Sequence, residues 1–196
     1  NKGFIQIIRQ LDEKPNVEKD TLKEILNTFT EDTNLWPSND DFVNAMEQAS
    51  GKDLQQFHRW YSQAGTPVVT VADEFNPESG QYTLTVNQSV ESQGVKGQTL
   101  HIPFSIELLN ANGVSVINQV LDVKKATQEF TFDGFEAKPV ASLLQDFSAP
   151  VKLEYDFTFE QLVHIMRFAS SEVARWEASV QLFSQSVWDN VAQLSA

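Results

Sequence analysis

The hydrophobic period of the chain changes twice, and the changes divide it into three parts. Before Pro67 the apolar residues recur at helical steps. Phe4, Ile5, Ile7, Ile8 and Leu11 share one broad face, and Leu22, Ile25, Leu26 and Phe29 repeat the pattern after Pro15. A third helix is expected from Ser38-Asn39-Asp40-Asp41, where a capping side chain and early acids suit the positive end of a helix. It carries Phe42, Ala45, Met46 and Ala49 until Gly51 stops it. A fourth places Leu54, Phe57, Trp60 and Tyr61 on one face and ends at Gly65-Thr66-Pro67.

From Val68 the period is two. Val69 and Val71 point one way, and Tyr82, Leu84 and Val86 alternate with Thr83 and Thr85. Asn76-Pro77-Glu78-Ser79-Gly80 reads as a turn, and Asn112-Gly113 marks a hairpin between strands at 102–109 and 114–123. Further strands are expected at 129–132, around 141–147 and at 151–157. About seven short strands predict a mainly β fold with helical flanks, an Ig-like antiparallel β-sandwich held by packing alone, since the Cys-Trp-Cys pattern of antibody domains is missing.

Helical period returns after Thr158, with Leu162, Ile165, Met166 and Ala169 on one helix. A long final helix spaces Val173, Trp176, Val180, Phe183, Val187, Val191 and Leu194 at steps of three and four, a continuous apolar stripe. The division predicts a helical segment over 1–66, a sandwich over 67–157 and C-terminal helices over 158–196.

Composition narrows the function. A formal charge of −13 repels a phosphate backbone or an anionic membrane surface, and the densest basic pair, Lys124-Lys125, stands alone. Neither nucleic acid nor membrane is an expected partner, and no apolar run in the sequence approaches the ~20 residues of a spanning helix. The absence of cysteine removes disulfides and thiolate metal sites and is compatible with a reducing compartment, so a cytoplasmic location is expected.

A zinc hydrolase commonly sets two histidines one helical turn apart with a glutamate between them. No His-Glu-x-x-His occurs: His58 falls on a predicted helix, His101 opens a strand and His164 lies on a later helix. The acid pairs Asp40-Asp41 and Asp73-Glu74 have the residue types of a general acid and base, but a helix N-terminus and a strand end account for them more simply. The stretch from Asp73 to Gly80 lacks the ligand alternation of a calcium loop. Asn87-Gln88-Ser89 matches a glycosylation sequon that chance often produces. The aromatics Phe57, Trp60, Tyr61, Trp176 and Trp188 sit at helical spacing and read as core or interface residues before they read as a ligand platform.

Several strings are more specific. Asp40-Asp41-Phe42 and Phe57-His58-Arg59-Trp60-Tyr61-Ser62-Gln63-Ala64-Gly65-Thr66-Pro67 resemble the end of the catalytic domain in the bacterial aminopeptidase N family. Tyr82-Thr83-Leu84-Thr85, Leu100-His101-Ile102-Pro103-Phe104 and Phe147-Ser148-Ala149-Pro150-Val151-Lys152-Leu153 resemble later stations of its β-sandwich in the same order, and Arg175-Trp176-Glu177-Ala178 is similar to the early helices of its C-terminal superhelical domain. The resemblance covers 40–196, and the first 39 residues depart from the family pattern.

The resemblance implies a parent zinc enzyme that removes N-terminal residues from peptides. The family uses a zinc held by two His and a Glu, a catalytic Glu, a transition-state Tyr and a Gly-Ala-Met-Glu-Asn strand, none of which has a counterpart in this sequence. No catalytic, cofactor-binding or metal residue is therefore expected, and zinc belongs to the parent enzyme only. The expected role is a structural bridge whose partners are the catalytic and C-terminal helical domains of the parent chain, with pairing of two copies through the C-terminal stripe. The alternative is a free-standing Ig-like protein-binding module.

Overall fold

The computed structural model describes the backbone of residues 39–194 except Gln93, and the side-chain surroundings of residues 40–187 with the same exception. The helices expected at 4–11 and 22–29, and the side chains of Trp188, Val191 and Leu194, lie outside the described residues.

Helices α1 (Asn39–Ser50) and α2 (Gln55–Ser62) bury Val43, Met46, Leu54 and Phe57 in a small cluster of their own. Tyr61, expected on the same buried face, is 42% exposed and meets Phe57 only edge-on. The face is narrower than its spacing suggested because Trp60 turns toward the sandwich, where it packs against the main core as well as this cluster.

The strands follow in the order β1 (Val68–Asn76), β2 (Gln81–Ser89), β3 (Glu91–Ser92), β4 (Val95–Lys96), β5 (Ile102–Leu109), β6 (Ser115–Val123), β7 (Thr127–Phe132), β8 (Val140–Leu143) and β9 (Lys152–Glu154). One sheet has the order β7-β2-β1-β9 and the other β6-β5-β8, while β3 and β4 form a separate small hairpin that the sequence pattern had not announced. Tyr82, Leu84 and Val86 of the first sheet face Ile102, Phe104, Ile106 and Leu108 of the second, and all are completely buried. Each large apolar side chain so buried contributes roughly 1.5–3 kcal/mol. The Ig-like two-sheet fold is the one the alternation predicted.

Three details differ from the sequence expectation. The sandwich is not wholly antiparallel: β9 runs parallel to β1, from Val68↔Lys152 to Thr70↔Glu154, because a crossover from the other sheet delivers it where a hairpin cannot. The strand expected around 141–147 ends at Leu143, since Leu144, Asp146 and Phe147 take left-handed backbone angles of 54°, 54° and 50°. Side chains with a Cβ rarely adopt this region, so no residue type there announced the break. The strand expected at 151–157 shrinks to the three residues of β9.

The predicted turns form as expected. Asn76 Oδ1 accepts from the backbone of Glu78 and Ser79, and Gly80 donates back to the Asn76 carbonyl at 2.9 Å. In the β5–β6 hairpin Asn110 Oδ1 accepts from Asn112 and Val114, and Gly113 supplies the φ of 79° that closes the loop.

Helix α3 (Phe159–Phe168) starts with a capping box: Thr158 Oγ1 accepts from the Gln161 amide, and Gln161 Oε1 accepts from the Thr158 amide. Helix α4 (Glu172–Leu194) packs against it, and both share a buried cluster with Leu109 of β5. Every residue of β5 is buried; on the side away from the sandwich core Leu109 joins the helical cluster, and the Ser105 amide donates to Ser148 Oγ.

The final stripe is placed differently from a simple core face. Among the described residues of α4, Ala174, Ala178 and Leu182 are buried, whereas Trp176, Val180, Phe183 and Val187 are 61%, 44%, 71% and 43% exposed. The alanines allow α4 to approach α3 closely, so the small-residue face wins the contact and the bulky one turns outward.

Candidate functional site: the helix and sandwich junctions

Two polar junctions fix the helices to the sandwich. At the first, α2 reads the backbone that leads into β5. Arg59 Nη1 donates to the Thr99 carbonyl at 2.6 Å and Trp60 Nε1 to the His101 carbonyl at 2.8 Å. Gln56 Nε2 donates to the Lys124 carbonyl at 2.7 Å, and Gln63 exchanges two bonds with the backbone of Gln98, at 2.9 and 2.7 Å. These contacts go to main-chain atoms, so they fix the angle of α2 against the sandwich without demanding particular side chains opposite. Gly65 sits in the connector with φ 108°, and a Cβ there would lie 2.8 Å from the Glu91 carbonyl oxygen.

Gln88 supports the same end of the sandwich from within. It is buried, donates to the carbonyls of Leu100 and Lys125, and accepts from the Leu100 amide at 2.8 Å. The possible sequon around it lies in paired strand β2, where Asn87 Oδ1 accepts from Thr127 Oγ1 at 2.7 Å.

The second junction is built around Glu107, a fully buried carboxylate in the middle of β5. Its Oε2 accepts from Gln145 Nε2 at 2.7 Å and from the Ser170 amide at 2.9 Å, at the corner between α3 and α4. Burial pushes this carboxyl up, but hydrogen bonds from Ser115, Ser170 and Gln145 outweigh it and hold the group below the ordinary carboxylate range. Next to it Ser171 Oγ donates to Asp146 Oδ1 at 2.7 Å and accepts from the Ala174 amide at 3.1 Å, capping α4. Arg175 Nη1 closes the corner by donating to the Ala169 carbonyl at 2.8 Å. The strained turn therefore has a structural use, since it places Gln145 and Asp146 on either side of the helical corner.

Sequence reasoning passed over Glu107. The outer positions of β5, Pro103, Ser105, Glu107 and Leu109, mix apolar and polar residues, so the pattern reads as a half-exposed strand and does not reveal that Glu107 is buried.

The three histidines have separate local partners. His58 Nδ1 lies 3.2 Å from Asp40 Oδ1, His101 Nε2 donates to Asp122 Oδ1 at 2.7 Å, and His164 Nε2 donates to the Asn110 carbonyl at 2.9 Å. The hydrogen bond from His101 outweighs burial and holds the Asp122 carboxyl below its ordinary range. Asp73 pairs with Lys138 Nζ at 2.9 Å and accepts from the Tyr82 hydroxyl at 2.9 Å. Among the described residues no group of three or more His, Asp or Glu side chains is arranged to hold a metal ion.

Residues 65–156 match the family model described as a domain of unknown function (DUF3458) with an Ig-like fold. Aminopeptidase N of Escherichia coli is 47% identical over 164 residues, covering 79% of this chain and 19% of that protein. Aminopeptidase N of Haemophilus influenzae is 41% identical over the same shares of the two chains. The crystal structure of Legionella pneumophila aminopeptidase A in complex with aspartic acid superposes with a TM-score of 0.78 at 30% identity, over 90% of this chain and 20% of that one. This chain thus spans about a fifth of the length of these relatives. Residues 65–156 are similar to the Ig-like DUF3458 model, and the chain is similar to a stretch of aminopeptidase N about a fifth as long as that protein.

Proposed function

We propose that this chain is a non-catalytic structural bridge of a zinc-dependent aminopeptidase, with helices at 1–66, sandwich at 67–157 and helices at 158–196 as its working parts. The observation that carries the reading is the double apolar character of α4. One face is seated on α3 and β5 through Ala174, Ala178 and Leu182, and the opposite face presents Trp176, Val180, Phe183 and Val187 to solvent. A helix apolar on two sides belongs between two layers. The Glu107 junction holds that second face at a fixed angle to the sandwich, which is what a bridge between domains requires.

In this reading the outer face receives further helices of the parent polypeptide, α1 and α2 carry the sandwich toward the catalytic domain, and the peptide chemistry and its zinc reside elsewhere in the parent. In the isolated chain the same face pairs two copies, since closed two-fold dimers are the commonest assembly. Metal analysis of the purified chain, combined with an aminoacyl-anilide assay, tests the non-catalytic role. The expected result is no stoichiometric zinc and no turnover; one tightly held zinc per chain with chelator-sensitive hydrolysis would refute it.

A further inference from the structure

A cleft of about 640 Å³ separates the edge of the first sheet from α4. Its walls come from three sources: β1 and the chain through β9 to Phe157, the strained turn at Leu144 and Phe147, and Glu177 and Gln181 of α4. The size is that of an ordinary ligand pocket. Among the described residues its lining combines aromatic and acidic groups and includes no Lys or Arg: Phe147, Tyr155 and Phe157 provide rings, and Glu154, Asp156 and Glu177 provide carboxylates. Phe147 is 41% exposed on a turn held in the left-handed region, so the fold keeps a large ring at the surface on strained backbone. Tyr155 and Phe157 pack edge to face at 4.6 Å, forming a rigid wall.

Of the three carboxylates, Glu154 is engaged by Lys152 Nζ at 2.7 Å, which leaves Asp156 and Glu177 as the acids the cleft offers. Partial burial raises the Glu177 carboxyl above its ordinary range, so an incoming cation would relieve a desolvated group.

We propose that this cleft docks a cationic peptide segment, with an arginine or lysine head between Glu177 and Asp156 and its aliphatic stem against Phe147, Tyr155 and Phe157. Charge complementarity selects the head, and the rings select a side chain that pairs a cation with apolar length. The proposal extends the bridge reading, because the cleft has one wall on the sandwich and one on α4. A segment bound there would read the angle between them.

The test is amide chemical-shift mapping of the 196-residue chain with the peptide acetyl-Leu-Arg-Leu-amide, and with its norleucine analogue as the neutral control. Shifts are expected to cluster at 144–157 and at Glu177 and Gln181, to weaken at least tenfold with norleucine, and to weaken similarly in the D156N/E177Q variant but not in E136Q, an exposed acid outside the cleft. Raising the salt should weaken binding as well. No shifts at millimolar peptide, equal binding of the neutral peptide, or shifts centred elsewhere would overturn the proposal. Each of these outcomes is independent of whether the outer face of α4 self-associates, so failure here is distinguishable from failure of the bridge reading.

Discussion

Glu107 Oε2 lies 2.9 Å from the backbone nitrogen of Ser170, so a fully buried carboxylate in the central strand of the sandwich holds the corner of the helical pair. This contact converts two packed layers into one rigid unit. Because the folded-state pKa is depressed, the stabilisation is present above the unfolded carboxylate range near ~4.3 and is lost as pH falls through the folded value. Glu107→Gln sets an amide against two donors and should cost roughly 1–3 kcal/mol at pH 7. It should also flatten the fall in stability on the acid side. Urea unfolding of both proteins between pH 7 and pH 3 checks this; equal midpoints and equal acid slopes would remove the role given to Glu107.

Trp60 joins α2 to the sandwich through both its ring and its Nε1 hydrogen bond to His101. The two contributions separate by mutation. Trp60→Phe keeps most of the packing and should cost about 1 kcal/mol, whereas Trp60→Ala should cost about 3 kcal/mol. Denaturant unfolding decides, and a change within ~0.5 kcal/mol for the alanine variant would show that the junction does not depend on this ring.

All three tyrosines ionise late. Burial raises Tyr61, burial and then the Asp73 charge raise Tyr155 to about 12, and the same causes push Tyr82 higher still. Raised folded-state values mean that this stabilisation is complete below the unfolded tyrosine range near ~10 and disappears as pH climbs through the folded values. Absorbance titration at alkaline pH should show Tyr61 ionising first and Tyr82 only with unfolding. Three coincident transitions at the ordinary tyrosine value in folded protein would contradict this environment.

The parts of this fold that were legible in sequence are those that local pattern controls. Alternation at Tyr82, Leu84 and Val86 marked β2, and the return of helical period after Thr158, with Leu162 and Ile165, marked α3. What was not legible arises from third-layer contacts. The outer side of β5 looks half-polar, yet the helical corner at Ser170, 63 residues beyond Glu107, reaches it and makes Glu107 a buried anchor. The left-handed run at Leu144, Asp146 and Phe147 has no glycine to reveal it, and β9 pairs in parallel because of a crossover that no turn residue encodes. The stripe on α4 was legible as apolar, but periodicity could not say which of two apolar faces the rest of the chain would use. Among candidate site residues, the histidines and acid pairs were visible in sequence, while their division into separate local contacts required the fold.

The central claim is that the outer face of α4 is an interface, and it is tested most directly by sedimentation equilibrium of the 196-residue chain and of its Phe183→Asp, Val187→Asp variant. Both residues are exposed, so the substitutions leave the packed face of α4 intact, and circular dichroism should show unchanged folding. The wild type is expected to associate into dimers as concentration rises, because each large side chain removed from water gains roughly 1.5–3 kcal/mol, and the variant is expected to remain monomeric. A wild-type chain that stays monomeric at high concentration, or a variant that associates equally well, would contradict the assignment of this face as the place where the bridge meets its next layer.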